Sequence, residues 1–329
     1  MTAGAQGSAG AQGPAGRRRL LVIHNPVAGR QRRQRFQAAL DLLERDGDEL
    51  SLRTTEAPGD ATRLAREIEP GEADLVVAAG GDGTINEVVN GLVAEGRPAS
   101  LPLAIVPLGT SNVLAVEIGL GTSPAAAART IREGVVRRIS LGRITGAGIP
   151  DGRSFILMAG AGVDARAVAD VNPSLKRHFA QGAYVWAGLR AVLRSRDLRY
   201  RVEVDGAAHE AASVIVAKAS RYGGPFIVAR EARLDDPRFQ VCLFERAGFW
   251  AAGFYGLALA LGRLEAAPGF TSVPGRKVRI TAPASQSGDS SMAEPVQCDG
   301  DDMARLPVAI EVVPDALSLV VPRAGPYGR

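Results

Sequence analysis

With 329 residues, 46% of them hydrophobic and 22% charged, the chain has the make-up of a globular protein of roughly two domains, not of a disordered one. Two cysteines, Cys242 and Cys298, exclude a disulfide framework or a cysteine-based zinc site, and the three histidines, His24, His178 and His209, show no metal-ligand spacing. A formal net charge of +4 is too small an excess to argue for nucleic acid, although it permits weak attraction to anionic lipid.

Residues 1–16 carry no charge and no apolar core, so they read as a flexible Gly/Ala/Gln tail and not as a signal peptide. From 17 to 139 strand and helix alternate. Residues 20–23 read as a short buried strand entering the loop 24–30, and Phe36, Leu40 and Leu43 then recur at helical spacing. Residues 50–55 form a second strand, and Ala61, Leu64, Ala65 and Ile68 mark a second helix. Residues 75–79 are apolar throughout, as expected of a parallel strand covered on both faces. Ile85, Val88, Val89 and Leu92 supply the next helix face, residues 103–106 the fourth strand, and a helix from 110 to about 118 follows. This alternation predicts an open α/β sheet with right-handed crossovers.

Over 140–329 the pattern changes to short alternating strands at 155–158, 200–204, 213–217, 239–244, 277–281, 308–313 and 317–321. Asp205-Gly206 is a hairpin-type turn, and residues 283–295 are a polar loop. The expectation is a mainly antiparallel β-sandwich, whose last strands could return to the first domain. Two helices interrupt it. The one at 174–193 carries Tyr184 and Trp186 inside basic ends and suits either packing or a membrane surface. The one at 249–261 is apolar all round, which predicts burial; lining an acyl-chain pocket or dipping into an interface is the functional alternative. The longest uncharged apolar run, 248–262, falls short of the roughly 20 residues that a membrane helix needs, so a cytoplasmic protein is expected.

The strongest chemical signal is Gly80-Gly81-Asp82-Gly83-Thr84, between the third strand and its helix. Three glycines let main-chain N–H groups approach a polyphosphate, and the helix N-terminus adds free donors. Asp82 cannot favour bare phosphate, so its natural use is a magnesium ion or a metal-bound water. Turns at Asn25–Gly29 and Pro107–Asn112, with Thr55, belong on the same carboxyl edge of the sheet, where ligands of open α/β folds bind. Neither a dinucleotide G-x-G-x-x-G fingerprint nor a Walker P-loop is present.

Asn25-Pro26 with Gly29, Thr55, GGDGTINEVVNGL (80–92), PLGTSNVLA (107–115), FxxxAGxGxDA (155–165), LDD (234–236) and VQCDGD (296–301) together resemble the soluble diacylglycerol kinase-like lipid kinases, which include bacterial diacylglycerol kinases and sphingosine and ceramide kinases. The resemblance runs in order from residue 20 to 321. It implies an NAD kinase/phosphofructokinase-like nucleotide domain over 17–139 and a β-sandwich lipid-substrate domain over 140–329. It also implies ATP with Mg²⁺, and transfer of the γ-phosphate to the hydroxyl of diacylglycerol or a similar lipid alcohol. Asn25, Pro26, Val27, Ala28, Gly29, Thr55, Gly80, Gly81, Asp82, Gly83, Thr84, Ile85, Asn86, Gly109 and Thr110 would contact the nucleotide, with Asp82 organising metal and water. Asp301 would be the general base. Asp236, with carbonyls near Arg233 and Arg238, would fall at the family's structural magnesium position. Work on a lipid implies transient contact with the inner membrane face; a homodimer is left open.

Three residues depart from the family pattern. Asp301 stands where Glu is usual, Pro237 follows Asp235-Asp236 where Gly is usual, and Val113 replaces a frequent Asp. Two other readings therefore stay open at the level of sequence: an NAD kinase-type activity, because NAD kinases share the GGDG turn, and a nucleotide-binding regulator that has lost its chemistry.

Overall fold

The fold is seen in a computed structural model, and the described residues are 17–26, 30–94, 101–162, 165, 199–282 and 294–328. The expected tail at 1–16, the helix at 174–193 and residues 283–293 of the polar loop lie outside them.

The first half alternates as its periodicity requires: β1 (Arg19–His24), α1 (Arg30–Arg45), β2 (Glu49–Thr54), α2 (Asp60–Arg66), β3 (Leu75–Gly80), α3 (Asp82–Leu92) and β4 (Leu103–Pro107). β1 pairs in parallel with β2 and β3, and β3 with β4. Successive strand residues serve opposite faces. Leu20, Val22 and Val77 pack with Phe36 and Leu43 of α1, whereas Leu21, Ile23 and Val76 pack with Ile85 and Val88 of α3. All carboxyl ends consequently open on one edge.

After β4 come α4 (Val113–Glu117) and α5 (Pro124–Glu133), the latter capped by Ser123, whose Oγ accepts from the Ala126 N–H at 3.1 Å. The expected helix from 110 is thus shorter. Asn112 sits at φ +44°, and the Val113 and Leu114 amides are held by a side chain from outside, so the helix cannot begin before residue 113.

Two long strands cross between the halves. β5 (Val135–Ala147) pairs antiparallel with the last strand, β17 (Asp301–Val321), along most of its length. β17 replaces the two strands expected at 308–313 and 317–321. It ends parallel to β4, Leu319 opposite Leu103, as the next strand of the first sheet.

The second half is built on the other end of β17. β6 (Ile149–Phe155), β7 (Met158–Ala161), β8 (Tyr200–Val204), β9 (Ala207–Ala211), β10 (Ser213–Ala217), the small hairpin β11 (Arg221–Tyr222) and β12 (Phe226–Ile227), β13 (Phe239–Phe244), α6 (Phe249–Ala260), β14 (Phe270–Gly275), β15 (Lys277–Thr281) and β16 (Pro295–Cys298) complete the chain. One antiparallel layer runs β14-β13-β10-β7-β16-β17, and β15, β8 and β9 continue from β17 into the other. Tyr200, Val202, Val214, Val216, Phe239, Val278 and Ile310 form the core between the layers, the β-sandwich the sequence predicts.

Two expectations are corrected here. The strand at 155–158 is broken between Phe155 and Met158, because the Ile156, Leu157 and Met158 amides all turn to one carboxylate, that of Asp299. The apolar helix α6 is not buried: only Tyr255 and Ala258 are, and Trp250, Leu257 and Leu261 are 85%, 60% and 64% exposed. A helix that is apolar on every side gives periodicity no face to choose.

Candidate active site

The carboxyl edge of the first sheet brings three loops together through their backbones. Asn25 N–H donates to the Ala79 carbonyl at 3.1 Å, and Leu108 N–H to the Gly80 carbonyl at 2.8 Å. Between Gly81 and Gly109 the main chains touch: a Cβ on Gly109 would stand 2.7 Å from the Gly81 Cα, and one on Gly81 3.2 Å from the Gly109 Cα. No side chain fits between these turns, which is the physical need that both glycines meet. Asn25 Nδ2 donates to Thr84 Oγ1 at 3.2 Å, and Thr55, also buried, donates its N–H to the His24 carbonyl at 2.9 Å. Thr110 is reached by Arg32, whose Nη2 donates to its Oγ1 at 2.8 Å, so one of the arginines after the first turn lies on this edge. His24 stacks on Phe36 at 3.7 Å between ring centroids, and burial lowers its pKa. Val27, Ala28 and Gly29 lie outside the described residues.

Asp82 opens α3 and reaches sideways. Its Oδ2 accepts from the Val113 N–H at 3.1 Å and its Oδ1 from the Leu114 N–H at 3.2 Å, so it caps α4 from another element. Burial raises its pKa, and these amides pull it back down. Its own amide and that of Asn112 also bear on the carboxylate, so main-chain donors of two loops hold Asp82 in place. Beside it Asn112, buried at 4% exposure, directs an Oδ1 that finds no hydrogen-bond donor among the described residues, while its Nδ2 donates to the Gly109 carbonyl at 2.9 Å. An orphan acceptor in the cradle is an attachment point for a ligand's donor, and the motif PLGTSN carried it without singling it out.

The second half meets this edge at the β16–β17 turn. Asp299 and Gly300 have φ of +49° and +87°, the left-handed pair of a tight hairpin, in which Gly300 costs nothing. Asp299 is half-buried at this turn. It accepts from the Ile156, Leu157 and Met158 amides at 2.9–3.0 Å and from Asn86 Nδ2 at 2.8 Å. Burial raises its pKa against those donors. Asn86 thereby becomes a latch between the halves, since its Oδ1 also accepts from Arg153 Nη2 at 2.8 Å. Asn90, one turn on, donates to the Ser154 carbonyl at 2.9 Å and accepts from the Ser154 N–H at 2.8 Å. Sequence reasoning missed Asn90, Arg153 and Asp299 as a unit. The available signal was two asparagines four apart on α3, off its apolar face.

With the turn fixed, Asp301 faces the edge of the glycine turns: its Oδ2 lies 3.7 Å from the point where a Cβ on Gly83 would stand. Asp302 alternates to the other side of the strand and is paired with Arg305 at 2.5 and 2.9 Å.

The loop of Asp235 and Asp236 lies elsewhere. Asp236 is clamped by Arg238, at 3.1 and 2.8 Å, and Asp235 by Arg233, both at 2.9 Å. Lys218 Nζ donates to the Arg233 carbonyl. The expected magnesium position at Asp236, Arg233 and Arg238 therefore does not fit a divalent ion: guanidinium groups cover the carboxylates and an ammonium covers the carbonyl. Among the described residues no group of three His, Cys, Asp or Glu side chains is arranged to hold a metal.

Residues 19–144 match the model of the diacylglycerol kinase catalytic domain, and residues 158–321 that of the YegS C-terminal NAD kinase beta sandwich-like domain. A curated diacylglycerol kinase of Bacillus subtilis is 34% identical over 235 residues, 70% of this chain and 75% of its own length. The chain belongs to the diacylglycerol kinase-like family. A diacylglycerol kinase of Staphylococcus saprophyticus is 32% identical over 241 residues, covering 72% of this chain and 76% of that one. Among solved structures, a Bacillus anthracis protein described as a diacylglycerol kinase superimposes with a TM-score of 0.71 at 21% identity, over 93% of this chain and 97% of that one, a likeness of fold. Family membership makes the chain a kinase. No helix among the described residues is long and apolar enough to cross a membrane.

Proposed function

We propose that this chain is an ATP-dependent lipid kinase, moving the γ-phosphate of ATP to the hydroxyl of diacylglycerol or a similar lipid alcohol while resting peripherally on the inner membrane face. The observation that carries the reading is the approach of Asp301 to Gly83, a carboxylate of one half set against the phosphate-accepting turn of the other. A lipid alcohol is a poor nucleophile at neutral pH. Asp301 takes its proton as the oxygen bonds to the γ-phosphorus, and the bond from that phosphorus to the β–γ bridging oxygen breaks, leaving ADP. The Gly80–Gly83 amides and the start of α3 receive phosphate oxygens. Magnesium carried with the nucleotide supplies charge neutralisation, with Asp82 as the carboxylate to hold its water.

Membrane contact belongs to α6. Phe249, Trp250, Phe254, Leu257 and Leu261 are exposed on a helix without a charge, and exposed Arg246 and Arg263 stand at its two ends, a suitable arrangement for anionic headgroups.

The test is purified protein with ATP, Mg²⁺ and a panel of lipid alcohols, the products identified by mass spectrometry. Folded, ATP-binding protein that phosphorylates no lipid would overturn the reading in favour of a regulator, and transfer to NAD would replace it with NAD kinase chemistry. Trp250→Glu should weaken binding to anionic vesicles about tenfold, while sparing turnover of a short-chain acceptor in detergent. A dimer that hides α6 would instead appear in sedimentation, with no vesicle binding.

A further inference from the structure

Lys218 follows β10 in an apolar run, VIVAKAS, and its side chain is entirely buried at 0% exposure. Its backbone N–H donates to the Leu157 carbonyl at 2.8 Å, which fixes the base of the side chain. The four-carbon stem runs through the core and delivers the ammonium to the Arg233 carbonyl, in the field of Asp236, Asp235 and Glu117. A buried ammonium is costly unless its surroundings are negative. This loop supplies two aspartates and the Arg233 carbonyl within four residues, and their pull outweighs the opposing Arg233 charge.

The loop is wired to the nucleotide edge. Leu234 N–H donates to Tyr327 Oη at 3.3 Å, and that hydroxyl donates to Glu117 Oε1 at 2.7 Å. Glu117 ends α4, whose first amides are held by Asp82. A continuous set of contacts therefore joins Lys218 to the turn that faces Asp301.

We propose that the Lys218 ammonium is the resident cation of the 233–238 loop, holding it against α4 without a divalent metal ion. The donor set decides between the two. Magnesium demands about six oxygens near 2.1 Å in octahedral array. Here both oxygens of Asp236 and both of Asp235 are engaged by arginine forks, the carbonyl is engaged by the ammonium, and Pro237 fixes φ where a freer residue would let the loop wrap an ion. A single positive charge on a tether that the core anchors does the same work as an ion, and it cannot be chelated away.

The experiment is thermal unfolding of the full chain without nucleotide or lipid, so its outcome is independent of the kinase reading. Wild-type protein should melt within about 1 °C of the same temperature in EDTA and in millimolar MgCl₂, and metal analysis after gel filtration in EDTA-free buffer should find no stoichiometric divalent ion. Lys218→Met keeps the stem and removes the charge; its Tm should fall by about 5 °C or more. A wild-type Tm that climbs with magnesium, a retained metal ion, or a Lys218→Met protein as stable as wild type would each overturn the proposal. Should Lys218→Met fail to fold, the wild-type metal arms decide alone.

Discussion

Two acidic loops of the second half make opposite use of their carboxylates. At the 299–301 turn the charges are divided by their partners: Asp299 binds three main-chain amides, and Asp301, two residues on, is set facing Gly83. At the 233–238 loop the carboxylates are held locally, Asp235 by Arg233 and Asp236 by Arg238, each pair two residues apart and half-exposed, with the Lys218 ammonium behind them. The first loop converts sequence-local acidity into a directed group on a rigid support. The second spends its acidity on its own geometry. An acidic motif is therefore informative about chemistry only once the partners of each oxygen are known.

The contrast predicts a graded series of effects. Asp301→Ala should lower kcat by about 10²–10⁴-fold with ATP binding retained, the size expected for loss of a general base; steady-state kinetics with a lipid acceptor and ATP titration by calorimetry measure the two parts. Asp301→Glu, which restores the family's usual length, should keep activity well above that of the alanine variant in the same assay. Asp299→Ala leaves three buried N–H groups without an acceptor, so it should cost about 3 kcal/mol or more of stability in chemical denaturation. Gly109→Ala forces a Cβ onto the Gly81 Cα, and a loss of about 1–3 kcal/mol with weakened nucleotide binding is expected. At the foot of the series, Asp236→Ala removes the half-exposed Arg238 pair and one of the negative charges facing Lys218, so its Tm should fall, by less than that of Lys218→Met.

Acidity separates the same two loops by sign. The Arg238 fork holds Asp236 below its ordinary 3.8, so its contribution is full above 3.8 and is lost as pH falls through the folded value. Burial pushes Asp299 above 3.8, so the folded state binds its proton more readily, and the contribution weakens as pH rises from 3.8 through the folded value. The Tm gap between wild type and Asp236→Asn should therefore close on acidification, whereas the gap for Asp299→Asn should narrow toward neutral pH. Parallel gaps would erase the distinction.

Much of the first half was legible because its strands are uniform and its turns are glycine-rich: β3 reads apolar throughout, and GGDGT ends it. β8, β10, β13 and β15 fall at the expected residues for the same reason, a clear alternation or apolar run. What stayed hidden depends on partners far along the chain. Nothing local says that Asp82 caps α4, or that Asp299 gathers the amides of 156–158 and so splits a strand. β17 reads as two strands because Asp315, at φ +48°, lies where its ladder with β5 shifts register between Val313 and Leu317. Lys218 was passed over because one lysine ending an apolar run resembles an edge residue; only its complete burial reveals that it is aimed inward.

The last strand also sets a timetable. Its far end, opposite Leu103, finishes the sheet that the chain began at Arg19, some three hundred residues earlier. During synthesis the first sheet keeps a raw border at β4 until the residues around 319 have left the ribosome. Neither lobe is then a module that could be cut out and kept intact. Whatever inherits this fold inherits both lobes together, sewn by one thread.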